Sequence, residues 1–426
     1  MLDVLKEMQK HGIFKLAPND DLDAVITRAV ADSDIVSAYD PIQKYIKKLV
    51  ADLQYRHGVK LGTHLSDFSD KFFYEMFNMS FTCTNHSNGI YQKEMEYGKA
   101  GLFSFGIDMT TSTFTLDERK LLKLINHYFI SLSNQDSFKD GFVFIPISTL
   151  KCIYPNVNNI KLKEKIIRTC SRLNTKVIYW DLSKTRYNKE LASLNLNTGK
   201  KEHLADISIL YHPHRNKNGS DGVATKIDGI ICKINRFMKL RKNLEQISNL
   251  FPISALKSNY LEFEIAEMID YRLHMLKFNS NSKRKNNKSV RFKKNLRDLA
   301  DEIHLYVDDK PQRDTYLIRI MDGNPQEAIT TLIAAIINVL NIFSTSYNLS
   351  AMFKCSTCGN VILDDYLPVF RKISSIDNKP KANKMMKEEL KKIYISLSKS
   401  VVNASKTFKV KELINNGRIE LIIDLN

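Results

Sequence analysis

Hydrophobic residues recur along this chain at two spacings, helical and alternating, and the switches between them predict its elements. "TLDERKLLKLINHYFISLS" (115–133) has helical spacing, with Thr115 placed to cap it and Glu118 three residues on. "FVFIPI" (142–147) reads as a short apolar strand, followed by a brief helix from Ser148 or Thr149. "KLKEKIIRTCSRLNTKVIYWDL" (161–182) runs from a helix into a strand. "DISILYH" (206–212) and "KIDGIICKINRF" (226–237) are two more strands, with the polar "HPHRNKNGSDG" (212–222) between them. Helix, strand, helix, helix, strand, loop, strand is the order of a winged helix, and the polar loop stands where its wing would be.

A second round follows Pro252. "SALKSNYLEFEIAEMIDYRLHMLKF" (254–278) predicts a long amphipathic helix, Val290–Val307 another, and "DTYLIRI" (314–320) a strand. The repetition predicts a tandem pair. The expected fold class is therefore α+β, predominantly helical, with two tandem winged-helix domains at 113–245 and 246–322. Residues 1–112 form a mostly helical segment that turns to strands or loops in "FTCTNHSNGIYQKEMEYGKAGLFSFGIDM" (81–109). Residues 323–426 form a C-terminal segment for dimerisation or partner contact, with a linker-like "IDNKPKANK", one helix and the strand "RIELIIDL".

On a helix wheel Lys161, Lys165, Arg168 and Arg172 fall within about 60° of one another. Leu162, Ile166, Ile167, Cys170 and Leu173 collect opposite, as when one face packs on a core and the other meets an anionic groove. Val290–Val307 repeats the design, with Phe292, Leu296, Leu299 and Ile303 on one face and Arg291, Lys294 and Arg297 away from it. Ile178, Trp180 and Leu182 alternate with Val177, Tyr179 and Asp181, which makes the only Trp a core residue beneath the first of these helices.

Charge turns this pattern toward a partner. Lys and Arg number 64 against 47 Asp and Glu, a net charge of +17, and a polyanion is the expected ligand. The excess is concentrated: Lys277 to Arg297 holds nine Lys or Arg and no acid, so phosphate contact is expected there. The N-terminus has acids where a signal peptide needs bases, so an intracellular, cytoplasmic protein with reduced cysteines is expected. Ala328–Phe353 carries no charge, but its Asn and Thr residues, and Asn324, Pro325 and Glu327 ahead of it, fit a buried or dimer-forming soluble helix better than a membrane span.

The segments between about 115 and 320 resemble the tandem winged-helix replication initiators of iteron plasmids and the related initiator of vibrio secondary chromosomes. The resemblance rests on "LDERKLLKLINHYFISL", "LKEKIIRTCSRLNTKVIYWDL", "GIICKINRFMKL" and above all "NLFPISALKSNYLEFEIAEMIDYRLHMLKF", with "VRFKKNLRDLADEIHLY" where the second recognition helix would lie. It implies a nucleoid- or plasmid-associated protein without catalytic residues that binds double-stranded DNA at repeated origin sites, self-associates, opens the origin and recruits host replication proteins. It also implies that Lys161, Lys165, Arg168 and Arg172 face one major groove and Arg291, Lys294 and Arg297 the next. Lys283, Arg284, Lys285 and Lys288, with wing residues Arg215 and Lys217, would hold phosphates or enter a minor groove.

Three alternatives stay open at this point. A transcription regulator or phage-type promoter-recognition subunit would use the same helices on a promoter. His212 and His214, two apart, have the spacing of a metal-dependent nicking enzyme, although Pro213 should interrupt their strand. Cys83 and His86, with Cys355 and Cys358, have the spacing of a Cys3His zinc site; otherwise they are buried thiols and no cofactor is expected. No P-loop or dinucleotide loop is present, so ATP-driven melting by this chain is not expected.

Overall fold

The computed structural model describes residue 59 and residues 61–67, 74–77, 86–96, 102–132, 142–154, 157–181, 183–184, 202–215, 223–234, 249–281, 290–303, 325–345, 347–356, 359–398 and 417–425. The predicted strand at 314–320, Lys217, which the sequence places in a wing, and the bases Lys283, Arg284, Lys285 and Lys288 lie outside them, as do Cys83 and Cys358. Helix and strand are mixed throughout, with more sheet than the helical spacing predicts. The chain divides into two compact units, residues 1–68 with 75–250 and residues 69–74 with 251–426.

In the first unit β1 (His64–Asp67) packs against α1 (Leu116–Leu132). β2 (His86–Ser87), β3 (Ile90–Glu96) and β4 (Leu102–Asp108) form antiparallel hairpins. After α1 come β5 (Phe142–Pro146), the one-turn α2 (Ile147–Leu150), α3 (Asn159–Asn174), β6 (Val177–Asp181), β7 (Glu202–His203), β8 (Ala205–Arg215) and β9 (Val223–Ile234). Two sheets result. One has the order β2-β3-β4-β6-β7; the other has β9 between β5 and β8.

The strand that continues the basic helix, β6, therefore belongs to a different sheet from the β8–β9 hairpin. It pairs with β4 of the N-terminal segment, Trp180 facing Phe105 in register, and Trp180 is a core residue at 2% exposure. The hairpin beside α3 is β8–β9. Pro213 does not interrupt β8, because β8 is the edge strand and an edge tolerates a missing N–H. At Gly229 the pairing of β5 with β9 leaves no room for a side chain: a Cβ there would lie 2.5 Å from the Ile145 carbonyl oxygen.

β10 (Asn249–Pro252) and a 3-10 turn (Ile253–Lys257) lead into the second unit. It contains α4 (Tyr260–Asn281), β11 (Val290–Asn295), α5 (Leu296–Glu302), α6 (Pro325–Phe343), β12 (Leu349–Cys355), β13 (Gly359–Ile362), α7 (Leu367–Ser374), α8 (Lys379–Ser398) and β14 (Ile419–Leu425). Asn259 and Glu262 cap α4 reciprocally: the Glu262 N–H donates to Asn259 Oδ1 at 2.9 Å and the Asn259 N–H to Glu262 Oε2 at 3.3 Å. The four strands pair antiparallel in the order β11-β14-β12-β13.

The predicted helix at 290–307 begins six residues later than its apolar spacing implies, because 290–295 is β11. Phe292 is buried while Arg291 and Lys293 point the other way, the period-2 pattern of a strand. Its partner β14 lies more than a hundred residues on, beyond the reach of local periodicity.

Among the described elements the two units share one plan. With β6 and β7 set aside, which follow α3 and belong to the five-stranded sheet, long helix, strand, short helix, helix, strand and strand occur in the same order in both, and in both the last strand lies between the other two: β5-β9-β8 and β11-β14-β12. They differ in the connection between the last two strands. In the first unit it is residues 216–222; in the second it is 356–418, containing β13, α7 and α8. α7 and α8 pack on α6. The uncharged stretch is thus the core helix of its unit, with Leu332, Ile336, Ile337, Val339, Leu340 and Phe343 fully or almost fully buried. No described helix is long and apolar enough to cross a membrane.

Candidate nucleic-acid interface

α3 is held by its two ends and its inner face. The Asn158 side chain accepts from the Lys161 N–H at 2.9 Å, satisfying a donor that the first turn leaves open. At the other end Asn174 makes a two-way bond with β8: its Nδ2 donates to the Ile207 carbonyl and its Oδ1 accepts the Ile207 N–H, both at 2.8 Å. Leu162, Ile166, Cys170 and Leu173 are buried, as their spacing predicts. Thr169 joins them with its hydroxyl 3.0 Å from that of Tyr154 and donating to the Lys165 carbonyl at 2.8 Å. Ile167 departs from the prediction. It is 37% exposed, on the outer face.

The four-residue basic stripe divides. Lys161 and Arg168 are exposed, and among the described residues neither is in an ion pair. Lys165 is half-buried, 3.9 Å from Asp117 and with its ammonium over the Tyr154 ring at 5.4 Å. Arg172 donates its Nε–H to Glu118, a carboxylate with no solvent exposure. Lys176 approaches the other Glu118 oxygen at 3.6 Å and donates to the Thr111 and Thr113 carbonyls, its ammonium lying over the Phe114 ring. Burial holds the Lys176 ammonium below its usual pKa, and the Glu118 charge opposes that shift.

Glu118 is the residue whose role the sequence understated. It fills the predicted capping box, accepting the Thr115 N–H at 2.8 Å, and it also receives both cations. The Thr115-x-x-Glu118 spacing shows the first role; the second depends on residues more than fifty positions away. Arg172 is thereby a tether between α3 and the first turn of α1, not a free groove contact.

The outer face that remains carries Ile160 (73% exposed), Lys161, Glu164, Ile167, Arg168 and Ser171. An arginine can donate two bonds to a guanine edge, a lysine can hold a phosphate, and an aliphatic side chain can meet a thymine methyl. Arg215 ends β8 next to residues 216–222.

The other predicted contacts are arranged differently. On β11, Arg291 forms a bidentate pair with Asp424 at 2.7 and 3.1 Å and Lys294 pairs with Glu302. Lys293, which the prediction did not include, lies 2.8 Å from Glu420. Arg297 is exposed on α5. The bases of β11 are thus each matched to a carboxylate, on β14 or at the end of α5. His212 and His214 lie on β8. His86 lies on β2, and Cys355 is buried at the end of β12 opposite Gly359. No cluster of metal-ligating side chains occurs among the described residues.

Cys170 sits beneath the candidate face at 1% exposure, and burial pushes its thiol from an ordinary 9.0 up to about 12. Burial raises Cys232, on β9, in the same direction. A thiol whose folded pKa is raised supports stability below the unfolded value, and that support is lost as pH climbs toward the folded one. Unfolding midpoints in urea are therefore expected to fall between about pH 9 and about pH 12, and to fall less in Cys170→Ala. An identical alkaline loss in the variant would remove Cys170 as a cause.

No family model matches the sequence, and no curated protein is similar to it. Among solved structures, a crystal structure of the selenomethionine derivative of domains 2 and 3 of RctB is 10% identical, covering 58% of this chain and 82% of that one at a TM-score of 0.32. Another crystal structure of RctB domains 2–3 is 11% identical over 52% of this chain and 72% of that one, at a TM-score of 0.29. At such scores these are distant likenesses, and any functional reading rests on the chain's own topology and charge.

Proposed function

We propose that this chain is a double-stranded-DNA-binding protein of the replication-initiator kind, in which each unit is a winged helix and the first reads a major groove through α3. One observation carries the reading: α3 is anchored from behind by Asn174, Glu118 and its apolar face, and turns Lys161 and Arg168 outward beside the β8–β9 hairpin. That is how a recognition helix and wing are disposed. The shared strand order of the two units supports the tandem pair, and the net charge of +17 supports a polyanionic partner. On this reading repeated origin sites are bound, origin opening follows from binding and recruitment of host replication proteins, self-association is expected, and no catalysis is needed.

Gel shifts with the DNA flanking the gene test it. A ladder on repeats of about 20 base pairs, two helical turns, is the expected result. A single promoter-like site would favour a transcription regulator, and failure to bind any duplex would end the proposal. Arg168→Ala is expected to weaken specific binding by about 1–3 kcal/mol while leaving the melting temperature unchanged. Arg172→Ala should do the reverse first, lowering stability through the loss of the Glu118 tether. Equal losses on every DNA sequence in Arg168→Ala would mean that this residue touches only phosphate.

A further inference from the structure

In the plan shared by the two units, α6 is the counterpart of α3, yet it has no charged side chain beyond its first turn and is covered by α7 and α8. The second unit cannot present α6 to a groove. What it presents there is the covering segment itself. Residues 371–392 hold eight Lys or Arg against three acids, Asp377, Glu388 and Glu389.

The charge on α8 is sided. Leu390, Ile393 and Leu397 are at most 4% exposed, whereas Lys381, Lys384, Lys387 and Lys391 are all exposed. On a helix wheel Lys384, Lys387 and Lys391 fall within about 60° and Lys381 about 60° further on, all away from the buried residues. Among the described residues none of these four is in an ion pair; Lys392, which is, holds Glu389 at 2.5 Å. The bases of β11 are in the opposite situation, each of Arg291, Lys293 and Lys294 matched to a carboxylate. The unit therefore pairs the bases of β11 with carboxylates and leaves a row of ammonium groups about 15 Å long on the covering helix.

We infer that α8 is a phosphate-backbone site of the second unit, taking duplex DNA without regard to sequence. A row of that length matches a duplex carrying one negative charge per ~1.7 Å of axis, and four like charges on one face gain most from a polyanion that releases counterions. Flexible, strongly hydrated ammonium groups suit phosphate contact better than base reading. The inference rests on the DNA-binding reading above and assigns the two units different tasks: α3 selects the site, α8 holds the backbone.

The test uses the full chain and a labelled random-sequence duplex, followed by fluorescence anisotropy across a salt series. The triple variant Lys384→Gln, Lys387→Gln and Lys391→Gln keeps good helix formers at exposed positions, and an unchanged melting temperature verifies that it folds. The slope of log K against log salt is expected to fall by about 2–3, near 0.9 for each phosphate that no longer meets an ammonium group, with the largest loss of affinity at low salt. An unchanged slope and affinity in the folded variant would overturn the inference while leaving the initiator reading in place. If the unaltered chain binds no duplex, both fall together. Arg168→Ala separates the two: it should lower preference for the specific site and change the random-duplex slope by no more than about 1.

Discussion

Replacing Glu118 with Ala is expected to destabilise the first unit by about 3–5 kcal/mol, the cost of leaving a buried charge without its counter-charge. Glu118 is fully buried and faces Arg172 and Lys176. Arg172 is 40% exposed and can turn to water, so its share is small. Lys176 is 3% exposed and cannot. Its remaining contacts would be the Thr111 and Thr113 carbonyls and the Phe114 ring, and an ammonium already held below its usual pKa by burial would lose the carboxylate whose charge opposes that shift. The loss of the Thr115 cap adds to the effect. Trp180 is the single tryptophan, so its fluorescence in urea follows this unit. Glu118→Gln, which can still accept the Thr115 N–H, should lose less. A loss below about 1 kcal/mol in the Ala variant would show the cluster to be wet and the tether unimportant.

Phe343→Ala is expected to cost about 3–5 kcal/mol in the second unit, through lost transfer energy and the cavity left behind. The ring is fully buried at the end of α6, edge-on to Phe251 at 6.5 Å and stacked with Tyr347 at 6.0 Å. Phe251 also meets Phe263 of α4 at 6.0 Å, so the cavity would open at the junction of three segments, where no single side chain can close it. The shift of the denaturation midpoint by circular dichroism measures it. A near-neutral result would mean that α6 is not the core of its unit, and would remove the premise on which α8 replaces it at the surface.

How much of this was legible depended on the range of the interaction. α1, β5, α3 and the β8–β9 hairpin each carry an uninterrupted period, and the Thr115 capping box is complete within four residues, so local spacing sufficed. The stretch 290–295 failed because Phe292, Leu296, Leu299 and Ile303 keep helical spacing across a strand–helix junction, and only pairing with β14 makes the first of them a strand residue. The same limit applies to β6, whose partner β4 lies some seventy residues earlier. In the candidate site the wheel found the exposed face but could not divide Arg168 from Arg172, since the difference is Glu118, fifty-four residues away. The repetition of a basic helix suggested a matched pair of readers. The repetition among the described elements is one of strand order, and the helix that takes the place of α3 in the second unit, α6, carries no charged side chain after Glu327.

The anchoring of α3 at both ends has a mechanical result. A helix bonded to β8 through Asn174 and to α1 through Glu118 cannot tilt or slide to suit a groove without breaking a buried charge cluster. On the proposed DNA-binding reading, conformational adaptation would fall to the other partner, and the work of bending or untwisting would be done on the duplex. Sequences with soft steps, such as TA and CA, would then bind at lower cost than stiff ones, so on that reading stiffness itself would become a criterion of selection at base pairs that no side chain reaches.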